Sequence, residues 1–173
     1  MTTMRVSEFD DGFADERELR GAILSTPIAQ LEPREAICVE PTTSVADAVH
    51  LMNTHRIGCV LVTRAGLLAG IFTERDVLNK VVGREFDLGK TPVGEVMTPN
   101  PETLRATDGI AFALNKMSVG GFRHIPIVDE RGAPCGIISV KNIVDFIVSL
   151  FPEAVLDIPP DPQHALPLRP EGG

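Results

Sequence analysis

A stretch of nine residues occurs twice, 66 residues apart, and no other feature of the chain restricts its fold as much. The first copy is Gly70-Ile71-Phe72-Thr73-Glu74-Arg75-Asp76-Val77-Leu78 and the second is Gly136-Ile137-Ile138-Ser139-Val140-Lys141-Asn142-Ile143-Val144. Each reads as the end of an apolar strand, a hydroxyl residue, and the start of an apolar-striped helix. A fixed period of this size marks a repeated supersecondary unit. The flanks keep the register: Gly66 and Gly132, and Cys59 and Ile125, are also 66 apart, whereas Met52 and Met117 are 65 apart. One residue is therefore gained near Gly120-Gly121.

In chain order, residues 1–27 read as an acidic arm, partly frayed, with Leu19, Ile23, Leu24 and Ile28 spaced for a short docking helix before Pro33. The first unit spans 28–88. Ala36 to Val39 is a short strand stopped at Glu40-Pro41. Thr42-Thr43-Ser44 supplies N-cap chemistry, and Val45, Ala48, Val49 and Met52 recur at helical spacing. Cys59 to Val62 is a buried strand by its continuous apolar character. Ala65-Gly66 turns, Leu67 to Phe72 is the next strand, and Thr73 opens a helix carrying Val77, Leu78, Val81 and Val82. The second unit, 89–152, repeats this order. Glu102 to Leu104 is its first strand, Ile110, Ala113, Leu114 and Met117 its first helix stripe, and Asp129 to Gly132 its hairpin turn. Ile143, Val144, Ile147, Val148 and Phe151 line its last helix. Residues 153–173 hold five prolines and read as a disordered or extended tail.

The chain has 173 residues, 43% of them apolar, enough for one domain or a tandem pair of small units. A net charge of −8 and few aromatic residues argue against a nucleic-acid binder. Cys38, Cys59 and Cys135 sit in apolar surroundings and read as reduced core residues, which places the protein in the cytoplasm. No apolar run is long enough to span a membrane. His50, His55, His124 and His164 show no metal-ligand spacing, and neither a Cys-x-x-Cys nor a Gly-rich phosphate loop is present.

Two strand-helix-strand-strand-helix units, each ending in Gly-apolar-x-Ser/Thr-x-x-Asp/Asn, resemble a tandem pair of cystathionine-β-synthase (CBS) domains, a Bateman module. Glu95-Val96-Met97-Thr98-Pro99 and Arg123-His124-Ile125-Pro126-Ile127-Val128-Asp129 fit the same family. The resemblance covers residues 28 to 151. It implies an α/β (α+β) fold of two βαββα repeats related by a pseudo-two-fold axis, with the sheets packed together, the helices outside and two clefts between them. It also implies a stand-alone regulatory module, not an enzyme, that pairs into a homodimeric four-repeat disc and binds an adenosine-containing ligand: AMP, ADP, ATP or S-adenosylmethionine.

Carried onto this chain, the resemblance puts Asp76 on the ribose hydroxyls and Thr73 at the helix N-terminus, where free N–H groups favour anions. The same four residues also form a capping box, Thr73 as N-cap and Asp76 at N3, and the two readings compete for one carboxylate. Arg123, His124 and Lys141 would meet the phosphate, while Asn100, Pro101, Glu102, Ile57 and Ile71 would frame the base of this main cleft. The second cleft would use Ser139 and Asn142, with Arg56, Gly58 and Arg75 on the phosphate side and Ala36, Ile37 and Ile137 around the base. Asn142 stands where an Asp is expected, so this cleft is expected to be the weaker one. The rival reading is a ligand-free dimerisation or scaffolding module that acts on an unidentified protein target.

Overall fold

A computed structural model describes residue 17 and residues 20–150. The frayed arm before residue 17, Leu19, Phe151 and the proline-rich tail lie outside the described residues. Helical backbone over 20–25 leads to a 3-10 turn at Ile28–Leu31.

The first repeat contains β1 (Cys38–Val39), α1 (Val45–His55), β2 (Cys59–Arg64), β3 (Leu67–Thr73) and the short α2 (Glu74–Asp76), which continues as a π-helical turn at Val77–Val81. After a 3-10 turn at Val93–Glu95 come β4 (Thr98–Pro99), α3 (Ile110–Gly120), β5 (His124–Val128), β6 (Pro134–Ser139) and α4 (Val140–Leu150). This is the expected βαββα order, repeated. The first strand of the second repeat is reduced to one parallel bridge, Leu104 to Ile127. Ser44 caps α1 by accepting the Asp47 N–H at 3.1 Å, and Arg56 ends that helix in the left-handed region (φ 51°). Gly121 ends α3 in the same way (φ 66°). Arg56 and Gly121 keep the offset of 65, so the extra residue falls just after Gly121, at Phe122–Arg123.

β1 runs parallel to β2, β2 antiparallel to β3, and β3 antiparallel to β4; β5 and β6 form a second antiparallel pair. The outer strand of each sheet comes from the segment that leads into the other repeat. β4 pairs with β3, Pro99 opposite Gly70 and Thr98 opposite Ile71. Arg34 pairs with Ile137 of β6. This exchange accounts for the repeated glycine. A Cβ on Gly70 would collide with the Met97 side chain and lie 3.0 Å from Thr98 O; one on Gly136 would lie 3.0 Å from Pro33 Cβ. The exchange extends along the chain. Ile28 N–H donates to Asp108 O (2.8 Å) and Val93 N–H to Thr43 O (2.7 Å).

Alternation along β2 explains how one strand serves two cores. Val60 and Val62 pack under the helices of the first repeat with Val45, Ala48, Met52, Phe72 and Val93. Cys59 and Leu61 point the other way and, with Ile71, Ala36 and Ile137, join the two sheets. The second repeat's core gathers Ile110, Ile125, Ile127, Ile138 and Ile143, together with Ile28 and Leu31 from the leader that opens the first repeat.

Three expectations fail here. Leu78 and Val82 are exposed at 67% and 61%, because the helix after Thr73 is only one α-turn before its π-turn. Val144 is also exposed, at the mouth of the cleft beside Asn142. Cys38, on the edge strand β1, and Cys135, at the start of β6, are exposed; of the three cysteines only Cys59 is buried.

Candidate functional site

The repeated Ser/Thr-x-x-Asp/Asn segment starts α2 and α4, and each start opens onto a cleft bounded by both repeats. At α2 the capping box is closed. Thr73 N–H and Oγ1–H donate to Asp76 Oδ2 at 2.9 and 2.8 Å, and Asp76 N–H donates back to Thr73 Oγ1 at 3.2 Å. Oδ1 accepts from Lys80 Nζ (2.7 Å) and Thr98 Oγ1 (2.9 Å). Burial works to raise the Asp76 carboxyl, but the bonds from Lys80, Thr73 and Thr98 outweigh it and hold the group below the usual carboxylate range.

At α4 the same cap is built on an amide. Ser139 N–H and Oγ1's counterpart, the Ser139 Oγ–H, donate to Asn142 Oδ1 at 2.9 and 2.7 Å. The Asn142 amide nitrogen has no hydrogen-bond partner among the described residues. By register, Phe146 and Arg34 stand where Lys80 and Thr98 stand in the first repeat.

The Asp76 cleft has a volume of about 380 Å³. Ile71, Asn100, Pro101 and Glu102 line it, as expected, and so do Thr73, Arg123 and His124. Asn100 takes the left-handed backbone (φ 46°) at the end of β4, which swings the following residues into the cleft. The Asn142 cleft is larger, about 670 Å³, and Ser139, Arg56, Ala36, Ile37 and Ile137 line it as expected. Both volumes are in the range of small-molecule sites.

Three placements differ from the sequence reading. Lys141 and Ile57 line the Asn142 cleft, and Arg75 lines the Asp76 cleft. Gly58 lines both. A helix start points its first residues at its own cleft, so Lys141 stays beside Asn142, where it pairs with Asp145 at 2.7 Å, and Arg75 stays beside Asp76, donating to Gly121 O at 2.6 Å. The cations divide accordingly. Arg34, Arg56, Arg123 and Lys141 line the Asn142 cleft beside Glu35, Glu74 and Asp145, whereas the Asp76 cleft has Arg75 and Arg123 beside Glu74, Asp76 and Glu102.

Lys80, Thr98, Glu74 and Arg34 were not singled out from the sequence as site residues. Lys80 was legible, since Asp76 and Lys80 have the i, i+4 spacing of a helical ion pair. Thr98 and Arg34 were not, because only the strand exchange brings them to the opposite repeat. Glu74, Gly58, Arg123 and His124 line both clefts and form their common wall. Burial, and then Arg123, hold the His124 imidazolium pKa below its ordinary value, with Glu74 opposing. Among the described residues no group of three or more His, Cys, Asp or Glu side chains is placed to hold a metal ion, and no helix is long and apolar enough to cross a membrane.

Comparison with known proteins supplies the lineage. The CBS domain family model matches residues 28–83 and 93–149. The chain belongs to the CBS-domain family. The CBS domain-containing protein CBSCBSPB5 of Arabidopsis thaliana is 36% identical over 125 residues, which are 71% of this chain and 23% of that protein. The chain thus spans about a quarter of the length of that relative. Among solved structures, a CBS-domain containing protein of Agrobacterium tumefaciens is 32% identical with a TM-score of 0.64, covering 70% of this chain and 99% of that one. A CBS domain protein of Pyrobaculum aerophilum, solved in complex with AMP, shares the fold at 22% identity and a TM-score of 0.63, over 76% of this chain and 95% of that one.

Proposed function

We propose that this CBS pair is a regulatory module that binds an adenosine-containing ligand between its repeats. The carrying observation is the construction of the clefts. Each combines the capped helix start of one repeat with cations of both and with a slot of extended backbone from the exchanged leader. The AMP complex of the Pyrobaculum protein supports the ligand class. The Asn142 cleft is the stronger candidate for a phosphate-bearing ligand. The Asn142 side-chain nitrogen is uncommitted, four cations stand against three carboxylates on the walls (two against three in the Asp76 cleft), and the volume is larger, whereas Asp76 is bonded through both oxygens. Ligand binding would bias the relative setting of the two repeats, because both contribute to the walls.

A sensing rather than catalytic role is consistent with the thiols. The buried Cys59 is pushed up to about 12 by burial and by Glu74, so it carries no thiolate at neutral pH. Self-association into a homodimer is part of the reading. Phe112 and Val119, seven residues apart on α3, are 63% and 82% exposed. A second copy would cover this face. The cytoplasm remains the proposed compartment, and the regulated target is proposed to be a protein.

Thermal unfolding with AMP, ADP, ATP and S-adenosylmethionine tests the proposal. At about 100 times Kd a ligand adds roughly 2.7 kcal/mol, a rise on the order of 5–10 °C for a chain of this length. Asn142→Ala is expected to abolish the rise with the fold intact. No rise with any compound at millimolar concentration would favour the scaffolding alternative, which the closed Thr73–Asp76 cap also supports.

A further inference from the structure

The two clefts share one cap design but differ in what fills its remaining valence. A carboxylate offers about four lone-pair positions. At Asp76 all four are taken from within the chain: Thr73 N–H and Oγ1–H on Oδ2, Lys80 Nζ and Thr98 Oγ1 on Oδ1. Lys80 is itself fastened, donating to Met97 O and Thr98 Oγ1 at 3.1 Å each. It therefore ties the carboxylate to β4, the strand that enters from the second repeat. The turn that carries it is π-helical, with Val82 N–H bonding back to Val77 O at 2.9 Å, a geometry enriched at functional positions.

A pair of ribose hydroxyls arriving at Asp76 would have to displace these donors. The exchange is unfavourable, because a neutral hydroxyl replaces a charge-assisted bond and Lys80 loses its counter-ion. Nothing equivalent exists at Asn142. The residue in the register position of Lys80 is Phe146, half-buried against the second core, and the one in the position of Thr98 is Arg34. Neither competes for the Asn142 amide N–H, since Phe has no polar group and Arg is a donor only.

We propose that Lys80 is an internal occupant of the Asp76 cleft, standing in for a ligand's hydroxyl donors and limiting the chain to one adenosine ligand, held at Asn142. The location of that single ligand rests on the reading given above; the role of Lys80 does not. Lys80 then adds to the asymmetry that the Asp76-for-Asn142 difference begins.

Isothermal titration of the full chain with AMP decides the matter by stoichiometry, with Lys80→Met and Lys80→Gln as two independent variants whose folding is checked by circular dichroism. The expected result is one AMP per wild-type chain and two per variant chain, the added site being lost on further Asp76→Ala substitution. Its affinity is expected to be at least tenfold above that of the wild-type Asp76 cleft. Two AMP per wild-type chain overturns the inference. One AMP in both wild type and variants also overturns it, and loss of that AMP on Asn142→Ala or on Asp76→Ala then tells which cleft holds it. No AMP on the wild type with one on the variants sustains the role of Lys80 and overturns the Asn142 reading. No AMP on any of them overturns both.

Discussion

Gly58 and His124 hold corresponding positions in the two repeats, and the His124 ring occupies the space that a side chain at Gly58 would need. A Cβ on Gly58 would stand 3.1 Å from His124 Cε1 and 3.3 Å from Nε2, with Glu74 Oε2 at 3.5 Å. The pair closes the wall between the two clefts. The absence of a side chain at residue 58 allows His124 to lie there, where it is largely withdrawn from solvent and keeps its imidazole neutral more readily than in water.

A pH dependence follows from this burial. His124 has a folded-state pKa below its ordinary 6.5, from burial first and Arg123 second, with Glu74 opposing. The unfolded chain therefore binds its proton at a higher pH than the folded chain does. The stability that His124 contributes is complete above about 6.5 and is lost as pH falls from there through the lower folded value. Thermal unfolding between pH 7.5 and 5.0 is expected to show a falling midpoint, and His124→Gln to flatten that fall. Asp76 does not interfere, because its folded value lies below 3.8 and its own window opens only under that pH.

Thr73 and Asp76 are expected to affect stability by different amounts. Thr73→Ala removes the cap hydroxyl and should cost about 1 kcal/mol. Asp76→Asn keeps a cap acceptor but removes the charge partner of Lys80, and should cost about 1–3 kcal/mol. Urea unfolding of both variants measures the two costs. No loss in Asp76→Asn would mean that the Lys80 contact contributes nothing beyond the cap.

The leader exchange makes a prediction at Ile28. This residue opens the first repeat but is fully buried in the core of the second. Ile28→Ala should cost about 2–5 kcal/mol. Hydrogen exchange should show the loosening first in the amides of β5 and α3, in the second repeat, rather than in β2.

The thiols can be counted by reactivity. Under native conditions at pH 8, Cys38 and Cys135 should react with a disulfide reagent, while Cys59 should react only after unfolding, since it is buried and pushed up to about 12. Fast reaction of all three would contradict the packing of β2 between two cores.

The local plan was legible because it is written in near-neighbour chemistry. The 66-residue offset exposed the repeat, and Ser44, Thr73 and Ser139 marked helix starts through capping patterns that need only three or four residues. The strand exchange was not legible. Arg34 and Thr98 precede their own repeats and carry no pattern that names a distant partner. The assignment of Lys141 and Arg75 to clefts went astray for the same reason.

The sequence by itself determined the element order, the repeat, the capped helix starts and the set of polar residues from which a site is built. These follow from periodicity and from hydrogen bonds within a few residues of one another. Only the tertiary structure decided how that set was divided. Crossing leaders placed Thr98 on Asp76, left the Asn142 amide uncommitted, and set His124 against Gly58 in a shared wall. Those outcomes depend on which backbones approach closely in space. Here that approach is set by two glycines that let one repeat's leader lie across the other's sheet, and by two leaders whose apolar residues are buried in the opposite core.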